Sequence, residues 1–279
     1  MTEDKETIPH IAILVLDDEI PNITSKYGDF GDNTINFLSK ASNQLPPTVK
    51  YQLKSENSEF LNGQYSKLNL NLQNNYIIGF ILTGSRSDSF RSDIEWINRL
   101  NNFITEQLVP SNLPSIGLCF GHQILCKNLG CKIDRNDKGW ELGTATINLN
   151  TEIFKISNSP FLELKLDNEE LLNHLNLIEF HRDIVYGLPN ALTDDDKYLN
   201  IGSTSNCAIQ GIIGGNILTF QGHPEFETDY SLDLLKSKFD AGVIELKEYE
   251  KAKYHTETLN NQGVLIGKVI LKFIEDNRQ

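Results

Sequence analysis

Two six-residue runs, Ile11–Leu16 and Ile77–Leu82, contain no charged side chain. A strand with one wet face alternates apolar and polar residues. An unbroken apolar run instead suits a strand covered on both faces, as in a parallel sheet sandwiched by helices. Val49–Leu53 and Pro114–Leu118 read as further strands. Between them lie helical patterns. Asn33–Ala41 has helical spacing, and Ser92–Leu108 repeats Ile94, Ile97, Leu100 and Ile104 every three or four residues. Gly121–Leu129 reads as a helix closed by Gly130.

Strands separated by helices imply βαβ units. The fold class expected is α/β, with an open, mostly parallel, flavodoxin-like sheet and flanking helices. Residues 55–76 are polar and Asn-rich and read as a surface insertion with little regular structure. After residue 143 the pattern changes. Thr144–Leu149, Leu177–Phe180, Cys207–Ile213 and Asn216–Phe220 are short strand-like runs, and Gly214–Gly215 is a hairpin signal. These predict a small antiparallel extension. Asp233–Ile274 reads as helical with a break near Asn260–Gly263. A chain of 279 residues fits one domain, 1–279, with a core at about 10–230 and a helical tail over 231–279.

The net charge of −13, from 38 acidic and 25 basic residues, repels phosphate backbones and anionic lipids. Neither nucleic acid nor membrane is therefore expected as a partner. The segment MTEDKETIPHIAILVLDD carries acids where a signal peptide carries basic residues. No apolar stretch reaches the roughly 18 residues of a membrane span. Cys119, Cys126, Cys131 and Cys207 form no CxxC pair, which argues against zinc. A cytoplasmic, reducing setting with free thiols follows.

The strongest local pattern is Gly117-Leu118-Cys119-Phe120-Gly121. A strand ends, a reactive side chain follows, and a helix begins two residues later. Flanking glycines relieve crowding at so sharp a turn, the cysteine counterpart of a nucleophile elbow. The turn presents sulfur at the C-terminal edge of the sheet, where open α/β sheets hold ligands. The helix N-terminus favours thiolate, and the Phe120 N–H faces a developing oxyanion. A thiolate that expels an amine needs a proton donor. Phe220-Gln221-Gly222-His223-Pro224-Glu225-Phe226 supplies one past the end of an apolar strand. Residues two apart in extended chain point the same way, so Glu225 lies beside His223 and can fix its tautomer. Cys126, two helical turns beyond Cys119, reads as a packing residue.

GLCFGHQ at 117–123 and GHPEF at 222–226 resemble the two signatures of the class I glutamine amidotransferases, a superfamily of glutaminase domains with a Cys-His-Glu triad. The resemblance covers roughly residues 10–230. It implies Cys119 as nucleophile, His223 as general acid and base, and Glu225 as the orienting carboxylate. Leu82-Thr83-Gly84-Ser85 resembles the oxyanion loop, with Gly84 donating beside Phe120. Many members have a Gly-Gly-Pro-like loop where this chain has Gly84-Ser85-Arg86-Ser87-Asp88. The resemblance also implies substrate binding by Ser85 and Gln123. His181 and Asp183 join them, in a stretch similar to SHxDxV of the GMP-synthase type glutaminase domain. Lys138-Gly139-Trp140-Glu141-Leu142-Gly143 resembles plant-type γ-glutamyl peptidases, with Trp140 near the site rim. The implied chemistry is hydrolysis of glutamine or a γ-glutamyl peptide through a thioester, with no metal or organic cofactor. Three functions stay open: a stand-alone γ-glutamyl hydrolase, a glutaminase subunit feeding ammonia to a separate synthase, and a binding protein that kept the fold. PfpI-type proteases share the elbow but usually place His directly after the cysteine, where this chain has Phe120.

Overall fold

A computed structural model of the chain describes residues 7–165, 170–190 and 197–278. In order come β1 (His10–Val15), α1 (Thr24–Tyr27), α2 (Phe30–Ala41), β2 (Thr48–Gln52), α3 (Ser58–Gln73), β3 (Ile77–Leu82) and α4 (Glu95–Phe103). β4 (Ser115–Leu118), α5 (Phe120–Asn128), β5 (Lys132–Arg135), β6 (Glu141–Leu149), β7 (His174–His181) and β8 (Asp183–Tyr186) follow. The remainder is β9 (Leu199–Asn200), β10 (Gly202–Ser203), β11 (Ile212–Gly214), β12 (Ile217–Phe220), α6 (Thr228–Asp240), α7 (Leu246–Thr258) and α8 (Gly263–Asn277).

The main sheet has the order β2-β1-β3-β4-β12-β11-β9. Its first five strands run parallel, and β11 and β9 are antiparallel additions. The unbroken apolar runs are explained by two cores. On β1, Ile11, Ile13 and Val15 pack with α2 and α8, while Ala12 and Leu14, with Leu16 just past the strand, pack with α3, α4 and α5. A second sheet, β10-β6-β7, and a two-stranded sheet, β5-β8, form the antiparallel part. Because β3, β4 and β12 are parallel neighbours, the loops after them leave the same edge together. That edge carries the candidate site.

Two expectations need correction. Residues 58–73 form α3, a sixteen-residue helix over the sheet, not an irregular insertion. Asn57 caps it by accepting from the Phe60 N–H at 3.0 Å, and Leu61, Tyr65 and Leu68 are buried at helical spacing. The asparagines that disguise it lie mostly off that stripe. Cys207–Ile213 is also not one strand; only Ile212–Gly214 pairs. A side chain at Gly211 would begin 2.1 Å from the Thr219 carbonyl oxygen, so the chain there hugs β12 too closely for regular pairing. The predicted helix over 92–108 begins at Glu95 and closes with a π-helical turn, Ile104–Leu108. Among the described residues, no helix is long and apolar enough to cross a membrane.

Candidate active site

β4 and α5 meet at Cys119, whose backbone has φ 51° and ψ −102°. A non-glycine residue in such a conformation costs about 1–3 kcal/mol and persists only where its surroundings impose it. Two glycines impose it here. A Cβ on Gly117 would lie 2.5 Å from the Gly121 carbonyl, and one on Gly121 would lie 2.2 Å from the Leu82 oxygen. The turn therefore folds back on β4 while pressing against β3. The Cys119 N–H donates to the Phe220 carbonyl at 2.8 Å, which ties the elbow to β12. The sulfur caps no helix N–H.

The loop after β12 brings His223 to the same place. Its N–H donates to the Ile178 carbonyl at 2.7 Å, and its ring stacks on Phe226 with centroids 4.0 Å apart. Nδ1 lies 2.7 Å from Glu225 Oε1, so the other ring nitrogen is left for the cavity. Burial disfavours a charged ring, but the Cys119 sulfur and the Glu225 carboxylate outweigh it, and the His223 pKa is pushed up to about 10. The loop is braced from behind. Asn261 Nδ2 donates to the carbonyls of Phe226 at 2.7 Å and His223 at 3.1 Å. Gly263 packs so closely that a Cβ there would lie 1.8 Å from the Pro224 oxygen.

The loop after β3 closes the third side. A Cβ on Gly84 would come within 2.9 Å of the His223 ring. The N–H groups of Gly84 and Phe120, both buried residues, donate to no group among the described residues. Buried donors are nearly always satisfied, so an unpaired pair beside a cysteine thiol could receive an oxyanion. The departure from a Gly-Gly-Pro-like loop is supported by Asp17. Its buried carboxylate accepts from the Arg86 backbone N–H at 3.0 Å and Nε at 2.8 Å. Burial alone would raise the Asp17 pKa, yet Arg86 and Lys54 hold it below its usual value.

The sequence-predicted binding residues line this cavity with Cys119: Ser85, Gln123, His181 and Asp183, with Trp140 at its wall. Gln123 is heavily committed. Its amide donates to the Asp183 carbonyl at 2.9 Å and Gln221 Oε1 at 3.2 Å, and its oxygen accepts from Ser89 Oγ at 3.1 Å. Gln221 in turn places its amide 3.7 Å from the Cys119 sulfur. Asp183 sits 2.9 Å from Arg135, which also binds Asp88 at 2.9 Å. Burial and the neighbouring Asp88 push the Asp183 pKa up to about 6. His181 Nε2 lies between Glu141 Oε2 at 3.0 Å and Glu179 Oε2 at 3.2 Å. Burial opposes its charge, and the two carboxylates raise its pKa well above the usual value.

Asp88, Ser89, Arg135, Glu179, Gln221 and Lys238 were not singled out from sequence. Only Gln221 had a usable signal, since it lies two residues before His223 in an extended segment. Among the described residues, Glu141, His181 and Cys207 are the group that could hold a metal ion, with ligand atoms within 4.8 Å of one another. All three already bond to protein: Glu141 accepts from Thr204 and Gln210, and the Cys207 sulfur lies 3.2 Å from the Ile209 oxygen.

Residues 97–240 match the family model described as glutamine amidotransferase class-I. A Saccharomyces cerevisiae protein named for that activity, YLR126C, is 33% identical over 268 residues, covering 92% of this chain and 94% of that protein. Gamma-glutamyl peptidase 2 of Arabidopsis thaliana is 28% identical over 176 residues, 63% of this chain and 64% of the peptidase. The crystal structure of a glutamine amidotransferase from Thermotoga maritima shares the fold with a TM-score of 0.61 at 15% identity, covering 96% of this chain and 98% of that one. The chain belongs to the class-I glutamine amidotransferase family.

Proposed function

We propose that this chain hydrolyses a γ-glutamyl amide, in a γ-glutamyl peptide or glutamine, through a thioester on Cys119, with residues 1–279 acting as one catalytic domain. The observation that carries it is the meeting of a backbone-strained cysteine and a carboxylate-held histidine at one cavity, with two unpaired N–H donors on residues adjoining them. The Cys119 thiolate attacks the side-chain carbonyl carbon. The C=O electrons move to oxygen, which the N–H groups of Gly84 and Phe120 receive, each such donor worth about 3 kcal/mol in the transition state. The His223 imidazolium gives its proton to the leaving nitrogen as the C–N bond breaks. Neutral His223 then takes a proton from water, which attacks the thioester and releases glutamate and thiolate. Glu225 keeps the ring in the tautomer these transfers need. The likeness to a γ-glutamyl peptidase favours a peptide substrate.

The test is glutamate release by the purified chain from glutamine and from γ-glutamyl dipeptides. Release from a dipeptide, with a glutamyl adduct on Cys119 detected by mass spectrometry after acid quench, is the expected result. Release from glutamine alone, together with a stoichiometric synthase on affinity isolation, would make the chain a glutaminase subunit. Release from none of the compounds would end the hydrolase reading.

A further inference from the structure

Besides His181 and His223, the arginine and lysine side chains that line the cavity are Arg86, Arg135, Arg182 and Lys238. Arg86 is committed to Asp17, and Arg135 to Asp88 and Asp183. Arg182 is exposed. Lys238, on α6, is different. It is half-buried, and among the described residues it makes no hydrogen bond or contact ion pair, although the Cys119 sulfur and Asp17 attract it from a distance. Its ammonium lies over the indole of Trp140, 4.8 Å from the ring centroid. A partly desolvated ammonium with no anion in contact costs free energy that a bound anion recovers. The aromatic face holds the head group in place without consuming its hydrogen-bond donors.

The position of α6 says which part of a substrate this cation meets. His223 stacks on Phe226, and Phe226 packs on Tyr230 of α6 at 4.3 Å between centroids. Helix α6 therefore backs the histidine. The group that receives a proton from His223 is the leaving amine, so substituents on that amine extend toward the histidine side. On that arrangement the glutamyl part would lie away from α6, toward the Asp88, Asp183 and Arg135 cluster from the loop after β3 and the β5-β8 sheet. Two carboxylates against one guanidinium suit an α-ammonium there.

We propose that Lys238, held by Trp140, binds a carboxylate on the leaving amine and so selects γ-glutamyl peptides that end in a free carboxylate over glutamine, whose leaving group is ammonia. The proposal rests on Cys119 being the nucleophile of a γ-glutamyl hydrolase, and it assigns Lys238 to specificity and not to bond cleavage.

γ-Glutamyl-alanine and γ-glutamyl-alaninamide differ only in that carboxylate, so their kcat/KM ratio is the readout. The acid should be preferred by roughly tenfold to a hundredfold, the range of a charge-assisted hydrogen bond. Lys238→Met should bring the ratio close to one, mainly through KM for the acid, because the interaction exists before and during the reaction. Lys238→Arg should restore most of it. A ratio near one in the parent chain, or an undiminished ratio in Lys238→Met, would overturn the proposal. If the parent chain cleaves neither peptide, the hydrolase reading has failed separately. Calorimetric binding of both peptides to the Cys119→Ala chain then decides. Tighter binding of the acid, lost in a Cys119→Ala, Lys238→Met double variant, supports the carboxylate site. Equal affinity, or no binding of either, removes it.

Discussion

The molecule holds two clusters of cysteine, histidine and glutamate, and they differ in everything except composition. In one, Cys119 sits in a forced backbone conformation at a helix start, with His223 and Glu225 beside it and free N–H groups around it. In the other, Cys207 lies in an irregular loop with its sulfur on a carbonyl oxygen, and His181 is clasped by Glu141 and Glu179. Burial pushes the Cys207 thiol up to about 11, away from thiolate. The lesson is that the proposed nucleophile stands apart through its backbone and the free donors beside it, and not through the residue types around it. In the second cluster Glu141 spends its hydrogen bonds on Thr204, Gln210 and His181, while among the described residues the buried Glu179 carboxylate is held only by its charge contact with His181.

The sharpest way to break this contrast is at the sulfurs. Cys119→Ala should lower γ-glutamyl hydrolysis by at least about 10⁴-fold, whereas Cys207→Ala should change it by less than about threefold. Glutamate release reads both, and similar losses in the two variants would refute the distinction. Next in size is the histidine of the second cluster. His181→Ala leaves two buried carboxylates uncompensated and should cost about 3–5 kcal/mol in urea unfolding. Glu179, pushed up to about 7 by burial, would escape by taking a proton at low pH, so the loss should be larger at pH 8 than at pH 6.

Glu225→Gln tests the first cluster more gently. kcat should fall roughly a hundredfold or more, as the tautomer is no longer held. The alkaline limb of the rate profile should also move to lower pH, since the carboxylate is one of the groups raising His223. The same shift governs stability. His223 has a folded pKa of about 10 against an ordinary 6.5, so its pairing contributes fully below about pH 6.5 and is lost as pH rises through about 10. Melting temperatures across that window should fall less steeply in the variant. The smallest effect lies far from both clusters: Asn57→Ala should cost about 1 kcal/mol by uncapping α3, with catalysis untouched.

How much of this was legible in the sequence depended on whether the information was local. The elbow at Cys119 and the His223–Glu225 pair each lie in a segment of a few residues, so covalent neighbours carry the geometry. The unbroken apolar runs similarly declare a sheet covered on both sides. Helix α3 escaped notice because its Asn-rich composition outweighed Leu61, Tyr65 and Leu68, whose spacing was the better guide. Arg135, Glu179 and Lys238 could not be found that way. Each acquires its place only when β5, β7 and α6 are laid against loops from other strands.

The brace behind the histidine loop has a consequence for how the protein is made. Asn261 and Gly263, which grip the backbone of His223, Pro224 and Phe226, follow Cys119 by two long stretches of chain. A nascent polypeptide that has already exposed its cysteine and its histidine at the ribosome still lacks the clasp that sets their alignment. On the proposed mechanism, chemistry at the thiol is thereby postponed until the start of α8 emerges, so a nascent chain that has made only its cysteine and histidine is not yet an active catalyst.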